Sequence, residues 1–532
     1  MGGNRGGVGA PAMLCALLAL PALPSAALAA EDPGQPAPVA DGGPPPPAPA
    51  SGEADREQIA AELRELQAMK QQMQRDMQQR MGEFDARIEA LETRLGVAPA
   101  PAPATALAAA EPEAAAEADP ARKGGLAGFL ERQEKSGTFD PRAGFVLVDD
   151  DDARLNFGFT TYARYLNQNA LDESYTDSFG RVIPLDLRNE VQLYKVSLNF
   201  KGWLFDPKFQ FLLFAWTNNA NQGEGAQVVL AGFLRYAHNK NFNVSAGIMP
   251  LPTTRSTNYS FPKWLRHDNR VMADEFYRGS YTSGIDVFGE IVPGLQYRAM
   301  IGNNLSTLGV SSKQLDNKLD TFAAALWWMP TTGEFGENEG FGDYDYHQKV
   351  ATYIGLNFTH STETAQGQPS ADSFENSQIR LTDGTLLFSP DPFTTGGKIE
   401  EATYRMASID LGVKYKGFSL EGQWFWRRVD SFKTLGFVPV DRIQDNGMAL
   451  QASAMPIKDL LQVYATGSKI WGANGDPTEY SFGLNVYPFR RREMHVNFQA
   501  LKLDRSPVGG FHMPILVGGD GWVFLSDWVV MF

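Results

Sequence analysis

The sequence predicts an all-β fold: a 16-stranded antiparallel transmembrane β-barrel, with an N-terminal α-helical coiled coil and disordered linkers. Apolar and polar residues alternate with period two through most of the last 380 or so residues, which is typical of half-exposed strands. Short turns and long loops alternate between these strands, as in outer-membrane barrels. The polar rows are rich in Asn, Gln, Gly and basic residues and the chain ends on Phe532, which favours a barrel over a soluble β-sandwich.

The first 30 residues resemble a secretory signal peptide. Arg5 precedes an apolar run from Pro11 to Leu23, and Ala27-Leu28-Ala29 provides a small-residue cleavage site. This run is too short for the alternative, a transmembrane anchor of about 20 residues. Cys15, the single cysteine of the chain, lies inside it. A mature protein without thiols excludes disulfides, thiolate metal sites and cysteine nucleophiles.

The composition and periodicity of the remaining chain indicate four regions: a Pro/Ala-rich disordered spacer at 31–54, a coiled coil at 55–96, an Ala/Pro linker at 97–142 and the barrel at 143–532. Apolar residues recur at heptad-like spacing from Ile59 to Leu95, which favours self-association over a lone amphipathic helix. An even number of strands places both barrel ends on the short-turn side, where a periplasmic tail would attach.

The acidity of the chain lies largely in the tail. Of the formal net charge of −15, residues 31–152 carry −12 and residues 153–532 carry only −4. The run Asp149–Asp152 is the densest acidic segment. Carboxylate oxygens suit calcium, but a solvated junction is the favoured interpretation of this run.

The strand-like runs number sixteen: 153–166, 190–203, 206–217, 225–239, 242–250, 281–290, 294–302, 318–330, 349–360, 404–416, 417–428, 446–456, 460–471, 479–489, 494–503 and 521–532. Connections after even-numbered strands are mostly short, and those after odd-numbered strands are mostly long. The acidic, Gly-rich connection Thr331–Gln348 is an exception on the short side, for which the pattern offers no explanation.

Alternation also assigns each strand an outer and an inner row. In 521–532 the even positions are mostly large and apolar while Asp527 is odd, and in 190–203 we expect Tyr194 to Phe200 to face outward in alternation. The predicted inner rows form a basic ladder opposed by only Asp286, Asp410 and Glu421; its members are Arg164, Lys195, Lys201, Arg235, Arg298, Lys414 and Arg427.

The loop 251–280 lacks the period-two pattern of its surroundings. A long loop without regular structure in a compact domain is usually functional, and this one has a net charge of +2. We expect it to narrow a pore and to bind anions through its basic residues, which are Arg255, Lys263, Arg266, Arg270 and Arg278.

Several of these segments resemble the phosphate-selective porin O and P family of Gram-negative outer membranes. The resemblance rests on Ala246–Pro250, Arg255, Arg270 with Asp274–Phe276, Gly284–Gly289 and Phe532. It implies a trimeric, sixteen-stranded porin in which the loop after the fifth strand forms the constriction and basic wall residues guide anions. The coiled-coil tail departs from that family, and dicarboxylate-type trimeric porins also carry one.

The predicted function is therefore diffusion of phosphate or other small anions through a basic lumen narrowed by the loop 251–280. The expected partners are outer-membrane lipid, the anions, two further copies of the chain and, through the tail, peptidoglycan, with no nucleic acid. The alternatives are a general or dicarboxylate-type porin, or an outer-membrane tether that uses the coiled coil. The six histidines are scattered without a catalytic or metal-ligand spacing, so we expect no enzyme activity, cofactor or metal.

Overall fold

The computed structural model describes residues 137–140, 144–218, 227–258, 262–311, 313–315, 318–369, 377–510 and 513–531. The signal segment, the spacer, the coiled coil and nearly all of the linker lie outside the described residues, as does Phe532. Within the described part, sixteen wall strands are present, as predicted. They are β1 Ala153–Leu171, β2 Asn189–Leu204, β3 Asp206–Asn218, β4 Gln227–Asn239, β5 Phe242–Pro250, β6 Tyr281–Val292, β7 Leu295–Gly302, β8 Thr321–Trp328, β9 Ala351–Thr364, β10 Lys398–Tyr415, β11 Phe418–Leu435, β12 Arg442–Ile457, β13 Leu461–Trp471, β14 Thr478–Val486, β15 Met494–Asp504 and β16 Gly521–Met531.

The wall is a closed antiparallel barrel. Each strand pairs with the next, and β16 pairs with β1, with Asp527 opposite Arg164. Closure satisfies the backbone groups that an open sheet would leave unpaired at its edges. Two short strands that the pattern did not predict, Phe139–Asp140 and Gly144–Asp149, continue the sheet beside the start of β1.

The two faces of the wall differ as the alternation predicts. The outer face carries large exposed apolar side chains, such as Leu234 with 73 % and Trp528 with 62 % of its surface exposed. The inner face carries buried polar ones, including Asn497 and Asp527. Such an exterior on a folded chain calls for an apolar environment.

One predicted row is wrong at Tyr194. This side chain is buried and packs on Tyr162, with 5.1 Å between the ring centroids, instead of facing outward. The pairing of β1 with β2 shifts register here, because Tyr162 lies opposite Lys195 while Ala163 lies opposite Leu193. The extra residue of this β-bulge puts Tyr194 and Lys195 on the inner side together.

Five strands, β1 and β9 to β12, extend by four or more residues beyond their predicted ends on the long-loop side. β9 continues to Thr364, and β10 begins at Lys398, so the predicted loop 361–403 is shorter than expected. Between β1 and β2, the connection forms a small hairpin of Ser174–Thr176 and Val182–Pro184. No helix among the described residues is long and apolar enough to cross a membrane.

The barrel interior is packed by connections that fold inward. A large apolar cluster joins inner-face residues of the wall to residues of four long loops, among them Phe276, Leu305, Leu381 and Ile515. A second cluster joins Phe335, from the connection between β8 and β9, to Tyr353 on β9. Only part of the inner wall therefore faces open space.

Candidate functional site

The loop 251–280, called the inner loop below, lies inside the barrel. Its ends meet because Pro250 of β5 pairs with Tyr281 of β6, and the Leu251 N–H donates to the Ser280 carbonyl at 2.8 Å. A 3₁₀ turn at Arg255–Thr257 and the short helix α1, Met272–Tyr277, give the loop its regular parts. The residues of both are buried.

Arg255 anchors the inner loop to β11. Its Nη1 lies 2.5 Å from Oε2 of Glu421, and both side chains are buried. The guanidinium stacks against the rings of Phe341 and Tyr353, at 4.2 and 4.6 Å from their centroids. It also donates to the Glu339 carbonyl at 2.8 Å. A guanidinium that is paired, stacked and covered in this way holds the loop in place.

Arg266 forms the second anchor, to β14. It pairs with the buried carboxylate of Glu479, which also accepts the N–H of Met272 at 3.0 Å. That N–H begins α1 and has no partner within the helix. The next one, from Ala273, donates to the Ser468 hydroxyl at 3.3 Å. Glu479 thus joins both the arginine and the start of α1 to the wall.

Lys263 contacts the connection 331–348, called the turn-side insert below. Its Nζ lies 3.2 Å from Glu337, and its carbonyl accepts the Phe341 N–H at 2.8 Å. The Lys414 ammonium on β10 donates to the carbonyls of Phe335 and Gly340, at 2.8 and 2.5 Å. The segment that the sequence pattern left unexplained therefore folds into the barrel from the short-turn side and supports the inner loop.

His347, near the end of the turn-side insert, binds two carboxylates of the same segment. His347 Nδ1 lies 2.5 Å from Asp343, and its Nε2 lies 3.0 Å from Glu334. The hydrogen bond to Asp343, reinforced by Glu334, raises the pKa of His347. Asp343 also accepts the Gly417 N–H at 2.7 Å, so the imidazole lies between the insert and the turn that follows β10.

Arg270 and Arg278 are arranged differently from the anchors. Both bind Glu275: Nη1 of Arg270 lies 3.3 Å and Nη2 of Arg278 lies 2.5 Å from its carboxylate oxygens. Arg270 also donates to the Ser256 hydroxyl at 2.7 Å and lies 4.3 Å from the Trp264 ring centroid. Two guanidiniums and one carboxylate give these three residues a net charge of +1. The buried Asp274, whose pKa is raised by burial, also acts on Arg270.

This cationic group lines a cavity of about 270 Å³ between the inner loop and the wall strands β2 and β3. Phe214 and Trp216 of β3 also line this cavity, stacked with 5.1 Å between their centroids and 16° between their planes. Tyr281 contacts both rings, at 5.8 and 5.7 Å. The lining of the cavity therefore includes both a cationic group and a cluster of aromatic rings.

Lys195 also lines the cavity, but it is neutralised by Asp268. The Lys195 ammonium lies 2.7 Å from the Asp268 carboxylate, which the Tyr162 hydroxyl also contacts. Burial works to raise the pKa of Asp268, but the ammonium and the hydrogen bonds hold it below its usual value. Asp268 is therefore ionised at neutral pH, and the pair adds no net charge.

Three of the seven residues of the predicted basic ladder form buried ion pairs. Arg164 lies 2.6 Å from Asp527, Arg298 lies 2.8 Å from Asp286, and Arg427 lies 2.5 Å from Asp445; all six side chains are buried. Because neighbouring carboxylates neutralise these residues, the predicted surplus of positive charge along the inner wall is smaller than their number suggests.

Two members of the predicted ladder lie on the more open part of the wall. Arg235 stacks on Phe233 and Phe288, at 4.5 and 4.6 Å from their centroids, and donates to Ser245 at 3.1 Å. Lys201, opposite Leu212 on β3, is half-buried.

The structure brings together residues that pattern reasoning missed. The carboxylate partners of the anchors, Glu421 and Glu479, lie more than 150 residues away from them in the chain. Phe214 and Trp216 lie on a strand whose two rows are both apolar near them, because Leu213 and Ala215 alternate with them. The alternation pattern therefore could not predict whether these aromatic residues face inward or outward. No group of metal-binding side chains is found in the described residues.

No protein-family model matches this chain, and no curated protein matches it either. Solved structures show a likeness at low identity. One is the outer-membrane OmpT of Vibrio cholerae, with 10% identity, a match that covers 72% of this chain and 99% of that one, and a TM-score of 0.44. Another is an anion-selective porin from Comamonas acidovorans, with 10% identity, coverage of 72% of this chain and 100% of that one, and a TM-score of 0.43. A third is the outer-membrane channel DcaP of Acinetobacter baumannii (8%, 72% and 98%, 0.42).

Proposed function

We propose that the chain is an outer-membrane porin that passes small anions, such as phosphate, by diffusion between the inner loop and the wall. The observation that carries the proposal is the pair Arg270 and Arg278 on the single carboxylate of Glu275, lining a cavity within a closed barrel. The sequence predicted anion contact at five basic residues of the inner loop, and we now propose it at Arg270 and Arg278 only.

The membrane setting is supported by the wall itself. A closed barrel leaves no unpaired sheet edge, and large apolar side chains are exposed on its outer face. Lipid hydrocarbon requires both features of a β-structure. We place the long loops outside the cell and the short turns, with the tail, in the periplasm.

The electrostatic mechanism is local. A net charge of +1 in a narrow space with low-dielectric walls concentrates anions, and a guanidinium presents donors in a geometry that suits carboxylate or phosphate oxygens. Because Glu275 already occupies part of that donor set, an anion is held weakly and is released again, which conduction requires. Arg255 and Arg266 act in this scheme by holding the inner loop against the wall.

The assembly belongs to the proposal as well. We infer a homotrimer embedded in outer-membrane lipid, with the tail reaching toward peptidoglycan, on the resemblance described above. The molar mass of the detergent-solubilised full chain, measured by light scattering, tests the trimer. A mass of one chain would refute it.

The channel is tested in planar bilayers under a potassium chloride gradient. Wild type should prefer chloride, and Arg270→Ala with Arg278→Ala should lose most of that preference, because Glu275 then leaves the cavity with negative charge. The matched control is Arg405→Ala with Arg428→Ala. These arginines also share one carboxylate, that of Asp430, but they are 41 % and 48 % exposed. Cation preference in wild type, or equal shifts in both double variants, would refute the proposal.

A further inference from the structure

The inner wall beside the cavity is unusual for a passage that carries only inorganic ions. Leu212, Phe214 and Trp216 on β3 lie opposite Lys201, Asn199 and Ser197 of β2 in the sheet, so these apolar residues share the inner face with polar ones. Phe214 and Trp216 remain partly exposed, although their rings stack on each other and contact Tyr281. The aromatic surface is therefore open to the contents of the cavity.

The part of the same cavity that the inner loop lines combines a ring with charge. Trp264 of the inner loop lies beneath the Arg270 guanidinium, and Arg278 lies next to it on Glu275. The remaining ion pair of the cavity, Lys195 with Asp268, is neutral in sum. The charged residues that line the cavity thus sum to +1, and the cavity also offers aromatic surface from β3 and from the inner loop.

A hydrated inorganic anion gains nothing from aromatic surface, because apolar side chains cannot replace its water. A planar ring gains from burial and from stacking against Phe214 and Trp216, and a carboxylate on that ring can accept hydrogen bonds from the guanidiniums. A cavity of about 270 Å³ is close to the lower limit of small-molecule sites, which suits a single ring.

We propose that this cavity selects aromatic monocarboxylates, a planar ring bearing one carboxylate, over inorganic phosphate and over aliphatic acids. The inference rests on the proposed function, since it names the substrate class of the same passage. The ring lies against Phe214 and Trp216 while the carboxylate is held by Arg270 and Arg278. Bound molecules exchange quickly, because both contacts are partial.

The test measures how strongly added solutes block the potassium chloride current of the wild-type channel. Benzoate provides ring and charge, acetate provides charge alone, benzamide provides the ring alone, and phosphate is the inorganic anion. Benzoate should block at about three- to tenfold lower concentration than acetate, as expected for one aromatic contact. Benzamide and phosphate should also block less than benzoate. Equal block by benzoate and acetate, or strongest block by phosphate, would overturn the inference without any variant.

Variants separate this inference from the proposed function. Phe214→Leu with Trp216→Leu should lose the preference for benzoate over acetate and keep the chloride preference of wild type. The control is Trp424→Leu with Trp426→Leu, a pair at the same spacing on β11 with 37 % and 47 % exposure, which should behave as wild type. If the wild-type channel prefers chloride but does not prefer benzoate over acetate, the inference is refuted while the proposed function stands. Absence of chloride preference sinks the proposed function.

Discussion

Replacing Glu479 with Gln tests whether the inner loop is held by charge. The carboxylate pairs with Arg266 and accepts the Met272 N–H at 3.0 Å, and its side chain is fully buried. Gln keeps the shape and one acceptor but leaves the guanidinium without a counter-charge. Removing one partner of a buried ion pair costs about 3–5 kcal/mol. Because the amide still accepts one hydrogen bond, we expect about 3 kcal/mol.

Amide hydrogen exchange of the full chain in lipid or detergent measures this cost directly, since exchange reports the free energy of local opening. A loss of about 3 kcal/mol corresponds to roughly a hundredfold faster exchange in the peptide that contains Met272–Tyr277, at about 1.4 kcal/mol per factor of ten. Peptides from β11 should exchange as in wild type. The single-channel current should show more frequent partial closures as the loop moves.

The double variant Arg266→Met with Glu479→Leu separates charge pairing from packing. An apolar replacement of both partners removes the uncompensated charge, so exchange in α1 should return to within about tenfold of wild type. With the single variants Arg266→Met and Glu479→Leu completing the cycle, the coupling energy should be about 2–3 kcal/mol. Additive effects of the single changes, or wild-type exchange in Glu479→Gln, would refute the idea that this pair anchors the loop.

Two further predictions concern the passage, and one concerns the turn-side insert and pH. Glu275→Gln raises the net charge of the cavity from +1 to +2, so the chloride-to-potassium permeability ratio from reversal potentials should increase; an unchanged ratio would exclude this group from selectivity. Replacing residues 334–342 by a short Gly-Ser turn opens the interior from the short-turn side, so single-channel conductance should rise; equal conductance would show that the insert does not obstruct the current. The hydrogen bond to Asp343 raises the pKa of His347 above its ordinary value of 6.5. The protonated imidazole therefore stabilises the insert fully below pH 6.5, and this stabilisation is lost as the pH rises through the raised pKa of the folded state. Once intrinsic exchange rates are divided out, amide protection of the insert should fall over that range in wild type but not in His347→Gln, and parallel profiles would contradict the role of His347.

The wall was predictable because every strand of a barrel faces two environments. Alternation locates a strand and assigns its faces whenever one row is polar, as in β15 and β16, and the sixteen strands followed from that rule. The rule fails where both rows of a strand are apolar or where a bulge interrupts the alternation. In β3 both rows near Trp216 are apolar, and in β2 the bulge at Tyr194 inverts the row.

The partners of the basic residues were beyond prediction for a different reason. Arg164 and Asp527 are 363 residues apart and become neighbours only because closure pairs β16 with β1 in one particular register. Arg266 and Glu479 are 213 residues apart and meet only because the inner loop crosses the interior. Composition counts charges, whereas register and loop path decide which of them are neutralised.

Charge counting and charge placement therefore lead to different mechanisms for the same residues. A loop with five bases and a ladder of seven predicts a strongly cationic passage, in which anion preference would survive any single substitution. In the structure, Arg255 and Arg266 are used to fix the inner loop, and Arg164, Arg298 and Arg427 have buried carboxylate partners. On the proposed mechanism, preference then depends on the two arginines at Glu275. The fixed loop keeps them in the cavity that Phe214 and Trp216 also line, where we propose that ring and charge act together on one solute.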